Sequence, residues 1–145
     1  MSRRVNFRAS TGQIATGTSR KTMLQLVAAA NHRLTNVYFT IGFFGVSPTA
    51  EPIEVRVLKQ TTAGTMTALT PVKDCDTDDE TLQVTAQHTA TAEPTASDVK
   101  YAQPVHPQQS AREIGPFTVP GGQRLGLDVL APADVDCIVT VRGEE

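Results

Sequence analysis

The sequence contains no tryptophan, and aromatic residues make up only 5% of its 145 positions. Three of the five phenylalanines, Phe39, Phe43 and Phe44, lie in a single stretch. Nowhere do apolar residues recur with the 3.6-residue spacing of an amphipathic helix, which argues against helical folds. Because a small domain has few ways to fill its core without large side chains, the stretch that holds these rings is predicted to be its centre.

Charged residues are also scarce, at 19% of the chain, and the formal net charge is −2. Without a strongly basic balance, direct binding of nucleic acid or of an anionic membrane is not expected. No run of about 18 apolar residues predicts a membrane span, and no apolar segment after Arg3 and Arg4 predicts a secretory signal. We therefore expect synthesis in a reducing cytosol and no membrane partner.

The two cysteines, Cys75 and Cys137, belong to no Cys-x-x-Cys pattern. A disulfide, two free thiols and a chance pair all stay open, although a reducing cytosol favours free thiols. The three histidines, His32, His88 and His106, stand singly and lack the spacing of a zinc site. No metal or other cofactor is predicted.

The acidic cluster of residues 73–80 begins as a calcium loop begins, with aspartates at alternate positions. Its sixth position is Asp79 instead of glycine and its twelfth is Thr85 instead of glutamate, so a solvated acidic loop is the preferred interpretation. The chain has no Gly-x-Ser-x-Gly motif and no phosphate loop ending in Gly-Lys-Ser or Gly-Lys-Thr. No catalytic residue is predicted, and the protein is not expected to be an enzyme.

Alternation of apolar and polar residues with a period of two runs through most of the chain. A pair of long strands joined by a short turn is predicted within residues 22–44. Further strands are predicted at 53–57, 65–69, 81–92, 117–119, 125–130 and 137–141. Around eight strands separated by glycine and proline indicate an all-β protein, an antiparallel β-sandwich of the jelly-roll type, with an immunoglobulin-like sandwich as the second choice.

Residues 1–20 carry four arginines among small polar residues and only scattered apolar ones. They are predicted to form an extended arm, either a frayed terminus or an arm that lies on a neighbouring subunit. Residues 21–145 are predicted to be a single β-sandwich domain. Residues 93–115 contain three prolines and little periodicity, so a long irregular loop is expected there.

Several segments resemble small proteins encoded by tailed bacteriophages and prophages, among them Gln-Thr-Thr-Ala-Gly-Thr at 60–65 and Val-Pro-Gly-Gly-Gln-Arg-Leu-Gly-Leu at 119–127. The other segments are 18–29, 92–96 and the final Arg-Gly-Glu-Glu. The resemblance covers most of the chain, although the chain is shorter than typical relatives at 106–113. Proteins of this kind are similar to capsid decoration or cement proteins, which have jelly-roll or related β-folds and bind the outside of the shell, often as trimers.

The resemblance implies a structural virion protein, made in the bacterial host cytoplasm, that binds the outer capsid surface and stabilises the shell. The implied partners are the major capsid protein and further copies of this chain, with a trimer favoured. Contacts are expected through the arm and the irregular loop, at Arg3, Arg4, Phe7, Arg8, Tyr101 and His106. Another virion component, such as a tail or fibre part, is the second interpretation, and a carbohydrate-binding β-sandwich is the third.

Overall fold

A computed structural model describes residues 4–44, 51–75, 77 and 80–145. These residues form twelve β-strands, and none of them lies in a helix that could cross a membrane. The strands are β1 (Asn6–Ser10), β2 (Ile14–Ala15), β3 (Lys21–Val27), β4 (Leu34–Phe43), β5 (Ile53–Gln60), β6 (Thr65–Leu69), β7 (Val72–Lys73), β8 (Thr85–Ala92), β9 (Ala96–Val105), β10 (Arg112–Val119), β11 (Arg124–Leu130) and β12 (Asp136–Glu144). The all-β prediction is confirmed.

The strands form two antiparallel sheets that pack face to face. Sheet A has the order β10-β4-β12-β1-β7, with β2 beside β12, and sheet B has the order β6-β8-β3-β11-β5-β9. Eight strands remain when the short or inserted strands β2, β6, β7 and β8 are set aside. Numbered 1 to 8 along the chain, they are β1, β3, β4, β5, β9, β10, β11 and β12. Their order is 1-8-3-6 in sheet A and 2-7-4-5 in sheet B. This order is that of a jelly roll, so the predicted sandwich is confirmed.

Alternate side chains of both sheets meet in one core. On β4, Val37, Phe39 and Ile41 are fully buried, as the period-two alternation predicts. Leu127 of β11 enters the same core from sheet B. The ring of Phe117 on β10 meets Phe39 edge to face, with the ring centroids 6.3 Å apart. The rings therefore lie in the layer between the two sheets.

The two strands of the central stretch do not pair with each other. β3 lies in sheet B between β8 and β11, whereas β4 lies in sheet A between β10 and β12. Alternation shows which side chains of a strand share a face, but it does not tell whether the next strand is a neighbour in the sheet or lies across the core. Both predicted strands are confirmed, and the segment that joins them crosses from one sheet to the other.

The N-terminal segment is part of the sandwich and not an arm. β1 pairs with β12, from Asn6 opposite Glu144 to Ser10 opposite Thr140. The side chain of Phe7, between these ends, is fully buried in the core. A five-residue alternation among small polar residues resembles a loose terminus, and its pairing depends on a strand at the other end of the chain. The arm prediction is therefore wrong for the described part of residues 1–20.

Most of residues 93–115 also form strand, because this range contains β9 and the start of β10. β9 is an edge strand, and an edge tolerates Pro104 because one side of the strand has no ladder partner. Register shifts opposite Val57 and Leu58 interrupt the alternation of β9. The prediction of an irregular loop is therefore wrong, because the bulges hide the alternation that would have indicated a strand.

β6, β7 and β8 are inserted between the fourth and fifth jelly-roll strands. β5 ends at Gln60, level with the end of β3, because both strands pair with Arg124 there. β6 begins at Thr65, near the opposite end of β3. Residues 61–64 must therefore cross the outer face of sheet B, and residues 93–95 return across it to β9. We call these two crossing segments the straps.

Replacing Phe7 with alanine tests whether β1 belongs to the core. Truncating a fully buried phenylalanine costs about 3–5 kcal/mol, so the urea midpoint of Phe7→Ala should fall sharply. Asn6→Ala, at an exposed position of the same strand, should change the free energy of unfolding by less than about 0.5 kcal/mol. Equal stability of the two variants would mean that β1 is detached in solution.

Candidate docking surface

The centre of the outer face of sheet B is closed by the straps, while its flanking strands stay exposed. Thr22, Gln25 and Gln60 point outward from this sheet, yet each is at most 2% exposed. Nε2 of Gln25 donates to Oε1 of Gln60 at 2.7 Å and to the carbonyl of Thr62 at 3.0 Å. The straps also bind each other, since the amide of Thr95 donates to Oγ1 of Thr62 at 2.8 Å. The polar side chains at the centre of this face therefore have their hydrogen-bond partners within the chain.

A charge cluster lies on the same face. The Asp128 side chain, 6% exposed, accepts hydrogen bonds from Nε of Arg56 at 3.0 Å and from its Nη2 at 2.8 Å. Nη1 of Arg20 donates to the same carboxylate at 3.0 Å, and its Nη2 lies 2.6 Å from Oε1 of Glu54. The hydrogen bond to Asp128 raises the pKa of Arg56 above its ordinary value. The two guanidinium groups and the two carboxylates neutralise each other. Because Arg20 precedes β3, the ion pairs also connect β5 and β11 to the segment before β3.

Sequence reasoning missed this cluster. The alternation of β5 correctly places Glu54 and Arg56 away from the core. Only the strand order, in which Asp128 pairs with Arg56 across β11 and β5, brings the carboxylate beside them. The sequence does place the charged residues of both strands at outward-facing positions. If the two strands had been known to be neighbours, this would have predicted the cluster.

The outer face of sheet A stays accessible over the described residues. Backbone pairing places Ser10, Thr140, Thr40 and Glu113 in one row across four strands, from β1 through β12 and β4 to β10. Each of these residues is exposed or half-buried, in contrast to the closed face of sheet B. We call the outward side of these four strands the open face.

A groove of about 350 Å³ lies in the open face. Gly42 leaves it open, because a Cβ at that position would come 3.2 Å from the Cβ of Ala111. Side chains that line the groove include those of Thr40, Phe44, Ile138 and Thr140. Apolar groups at the centre of a surface patch with polar groups around them are typical of protein interfaces.

Arg142 lies beside this groove and is held in place from two sides. Its Nη2 is 3.0 Å from Oε1 of Glu113, and its guanidinium lies 4.3 Å from the centroid of the Tyr38 ring. Exposed pairs of this kind contribute little to stability. Their effect here is to keep a charged side chain flat on the sheet and locally neutralised.

Two of the predicted contact residues lie on the open face. Nε of Arg8 is 2.6 Å from Oδ1 of Asp74, and Nη1 of Arg4 is 3.4 Å from Oε2 of Glu144. Phe7 lies between them on the strand but faces the core, so its prediction as a contact residue is wrong. Arg3 lies outside the described residues.

The remaining two predicted contact residues lie elsewhere, on β9 and in the turn after it. Tyr101 packs against the core, and its hydroxyl hydrogen-bonds to Oε1 of Gln103. Nδ1 of His106 accepts a hydrogen bond from the amide of Gln108 at 3.1 Å. The predicted contact residues therefore do not form one surface.

The described residues contain no group of three side chains placed to hold a metal ion. Asp76, Asp78 and Asp79 of the acidic cluster lie outside the described residues. Cys75 is exposed, Cys137 is buried, and both thiols are free. Of the alternatives left open by the sequence, two free thiols is the one observed. Burial raises the pKa of Cys137 to about 12.

Comparison of the chain with models of protein families, with curated proteins and with solved structures gave no match. The protein is therefore characterised by its own geometry. It is a jelly-roll sandwich in which the straps cover the centre of one outer face, while the other outer face is accessible and grooved over the described residues.

Thiol titration tests the two cysteine environments. Cys75 should react rapidly with Ellman's reagent at pH 8, because it is exposed. Cys137 should react only after unfolding in guanidinium, because it is buried and remains a protonated thiol. A Cys75→Ser variant should give no fast reaction. Two fast-reacting thiols in the folded protein would contradict the buried position of Cys137.

A pair of glycine substitutions tests how closely the straps pack. Gly64 has a φ of +63°, and a Cβ there would lie 2.5 Å from the carbonyl oxygen of Ala92 and 2.8 Å from the nitrogen of Pro94. Gly12 has a φ of +72° but has nothing within 4 Å of an added Cβ. Both alanine variants incur the left-handed cost of about 1–2 kcal/mol. Gly64→Ala should lose at least about 1 kcal/mol more in urea unfolding, and equal losses would contradict close packing of the straps.

Proposed function

We propose that the protein is a structural virion protein that binds the outer surface of a tailed-phage capsid and stabilises the shell. The observation that carries the proposal is the contrast between the outer faces of the two sheets. The straps cover the central strands of sheet B, whereas the centre of the outer face of sheet A is accessible and grooved. A rigid sandwich of this kind is suited to lying flat on a larger body. The resemblance of several segments to phage decoration proteins supports the major capsid protein as that body.

The size of the open face bears on how it binds. Four strands spaced about 4.8 Å apart and roughly seven residues long cover on the order of 400 Å². A stable interface of standard size takes about 800 Å² from each partner, so a single open face binds weakly. Several linked faces that bind together on a shell with repeated sites gain affinity through effective concentration. This argument supports a homo-oligomer, for which we propose a trimer.

Salt dependence follows from the charges of the open face. The arginines along it, Arg4, Arg8 and Arg142, already lie close to carboxylates of the same chain. Binding then relies on shape and on the apolar groove more than on unpaired charge. Attachment to the shell should therefore persist when the ionic strength is raised.

A substitution at the centre of the open face tests the proposal. Thr140→Glu adds bulk and an unpaired carboxylate between Ser10 and Thr40. Co-sedimentation with purified undecorated shells should show at least tenfold weaker binding, equivalent to about 1.4 kcal/mol. Thr67→Glu is the matched control, because Thr67 is exposed on β6 at the edge of sheet B.

Unfolding midpoints within error of the unchanged protein show that both variants keep the fold. Shell binding by Thr140→Glu equal to that of Thr67→Glu would exclude the open face as the docking surface. Binding to purified tails instead of shells would place the protein in the tail. Deletion of the N-terminal residues is not a clean test, because it removes β1 from the core.

A further inference from the structure

A second cavity, of about 360 Å³ and open to solvent, lies at the end of the sandwich where β10 meets β9, β5 and β11. Three of its lining strands belong to sheet B, so it is separate from the open face of sheet A. The residues that bear on its chemistry are Lys59, Asp98, Lys100, Pro120 and Leu125.

Two irregularities in β9 occur beside this cavity. Val57 pairs with Tyr101 and the next residue, Leu58, pairs with Val99, so Lys100 is an extra residue in β9. A second register shift follows between Leu58 and Gln60. Bulges re-aim side chains and are frequent at sheet edges and next to binding sites. Here they accompany Asp98 and Lys100, which line the same cavity as Lys59 of the neighbouring strand.

The cavity has an excess of positive charge. Neither Lys59 nor Lys100 has a hydrogen-bond or ion-pair partner within the part of the chain that the structure describes. Arg124 also borders the cavity, but its Nη1 donates to Oε1 of Gln25 at 3.2 Å on the outer face of sheet B, so its charge is directed away from the cavity. Asp98 is the carboxylate among the lining residues. In a chain whose formal net charge is −2, this local excess favours an anion.

The rest of the lining offers hydrogen bonds and apolar contact. The carboxylate of Asp98 can bind hydroxyl groups of a ligand. Pro120 and Leu125 provide apolar surface against which the C–H groups of a ring can pack. Ligand pockets range from about 300 to 1,000 Å³, so this cavity is of the size for a single small ring.

We propose that this cavity binds a small hydroxylated anion of the class of sugar acids and sugar phosphates. The acidic group of the ligand lies between Lys59 and Lys100, and its hydroxyl groups bind Asp98. Since the cavity is separate from the open face, the site goes beyond the proposed docking function and does not depend on it.

Titration of the ¹⁵N-labelled protein with four ligands tests the proposal by NMR. Glucuronate and glucose 6-phosphate should shift amide signals of β9 and of the start of β11, and the shifts should reach saturation. The ligand that binds more tightly identifies the acidic group as a carboxylate or a phosphate. Glucose lacks the anion and inorganic phosphate lacks the hydroxylated ring, so each should bind at least tenfold more weakly. Failure of both anionic sugars to bind, or equal binding of glucose, would overturn the proposal. Inorganic phosphate binding as tightly as glucose 6-phosphate would overturn the role of the hydroxyl groups.

The double variant Lys59→Gln/Lys100→Gln removes both ammonium groups and keeps hydrogen-bonding side chains of similar length. Its affinity for the preferred anionic sugar should fall at least tenfold, with an unchanged unfolding midpoint. Lys21→Gln, on β3 and outside the cavity lining, is the control for the loss of a lysine charge elsewhere in the protein and should bind as the unchanged protein does. Equal affinities of the double variant and the control would overturn the assignment of the lysines.

Discussion

The backbone pairing of β1 with β12 is the constraint on which the rest of the structure depends. It joins the two ends of the chain and continues into Val5 and Glu145, where each amide donates to the carbonyl of the other residue, at 3.2 and 2.9 Å. Because side chains alternate along β1, this pairing buries Phe7 and at the same time turns Arg8 outward. The same strand therefore completes the core and forms one side of the open face.

The closed face of sheet B shows why a polar layer can lie under the straps. The straps present backbone carbonyls to the sheet, and buried carbonyls need donors. Side-chain amides supply them, since Nε2 of Gln25 binds the carbonyl of Thr62 and Nε2 of Gln87 binds that of Ala63 at 2.7 Å. A Cβ at Gly126 would collide with the side chain of Gln60, so the absence of a side chain there makes room for the layer. Such a network fixes the position of the straps, because each donor has a specific acceptor.

The fold class could be predicted because the core strands alternate strictly, as at Val37, Phe39 and Ile41. The pairing partners of the strands could not be predicted, because alternation determines the face on which a side chain lies and not which strand lies beside it. The wrong prediction of an N-terminal arm follows from this limit. β9 escaped detection for another reason, since its bulges and Pro104 interrupt the pattern.

The candidate sites could not be predicted from the sequence. The row on the open face combines Thr40 with Thr140, and the cavity combines Lys59 with Lys100. None of these pairs forms a motif, because each is assembled from strands that are distant along the chain. Composition anticipates only that the surface carries few charges, since charged residues make up 19% of the chain.

The sheet edges of the described residues differ in their protection against pairing with another chain. β7 is only two residues long, and β10 contains Pro116, while β6 carries neither a charge nor a proline. β9 has bulges, Lys100 and Pro104, and a strand added along it would lie beside the mouth of the cavity. The irregularities that shape the cavity therefore also keep other strands away from it. Contacts in a threefold assembly join unlike surfaces, so an edge such as that of β6 cannot pair there with the same edge of another copy.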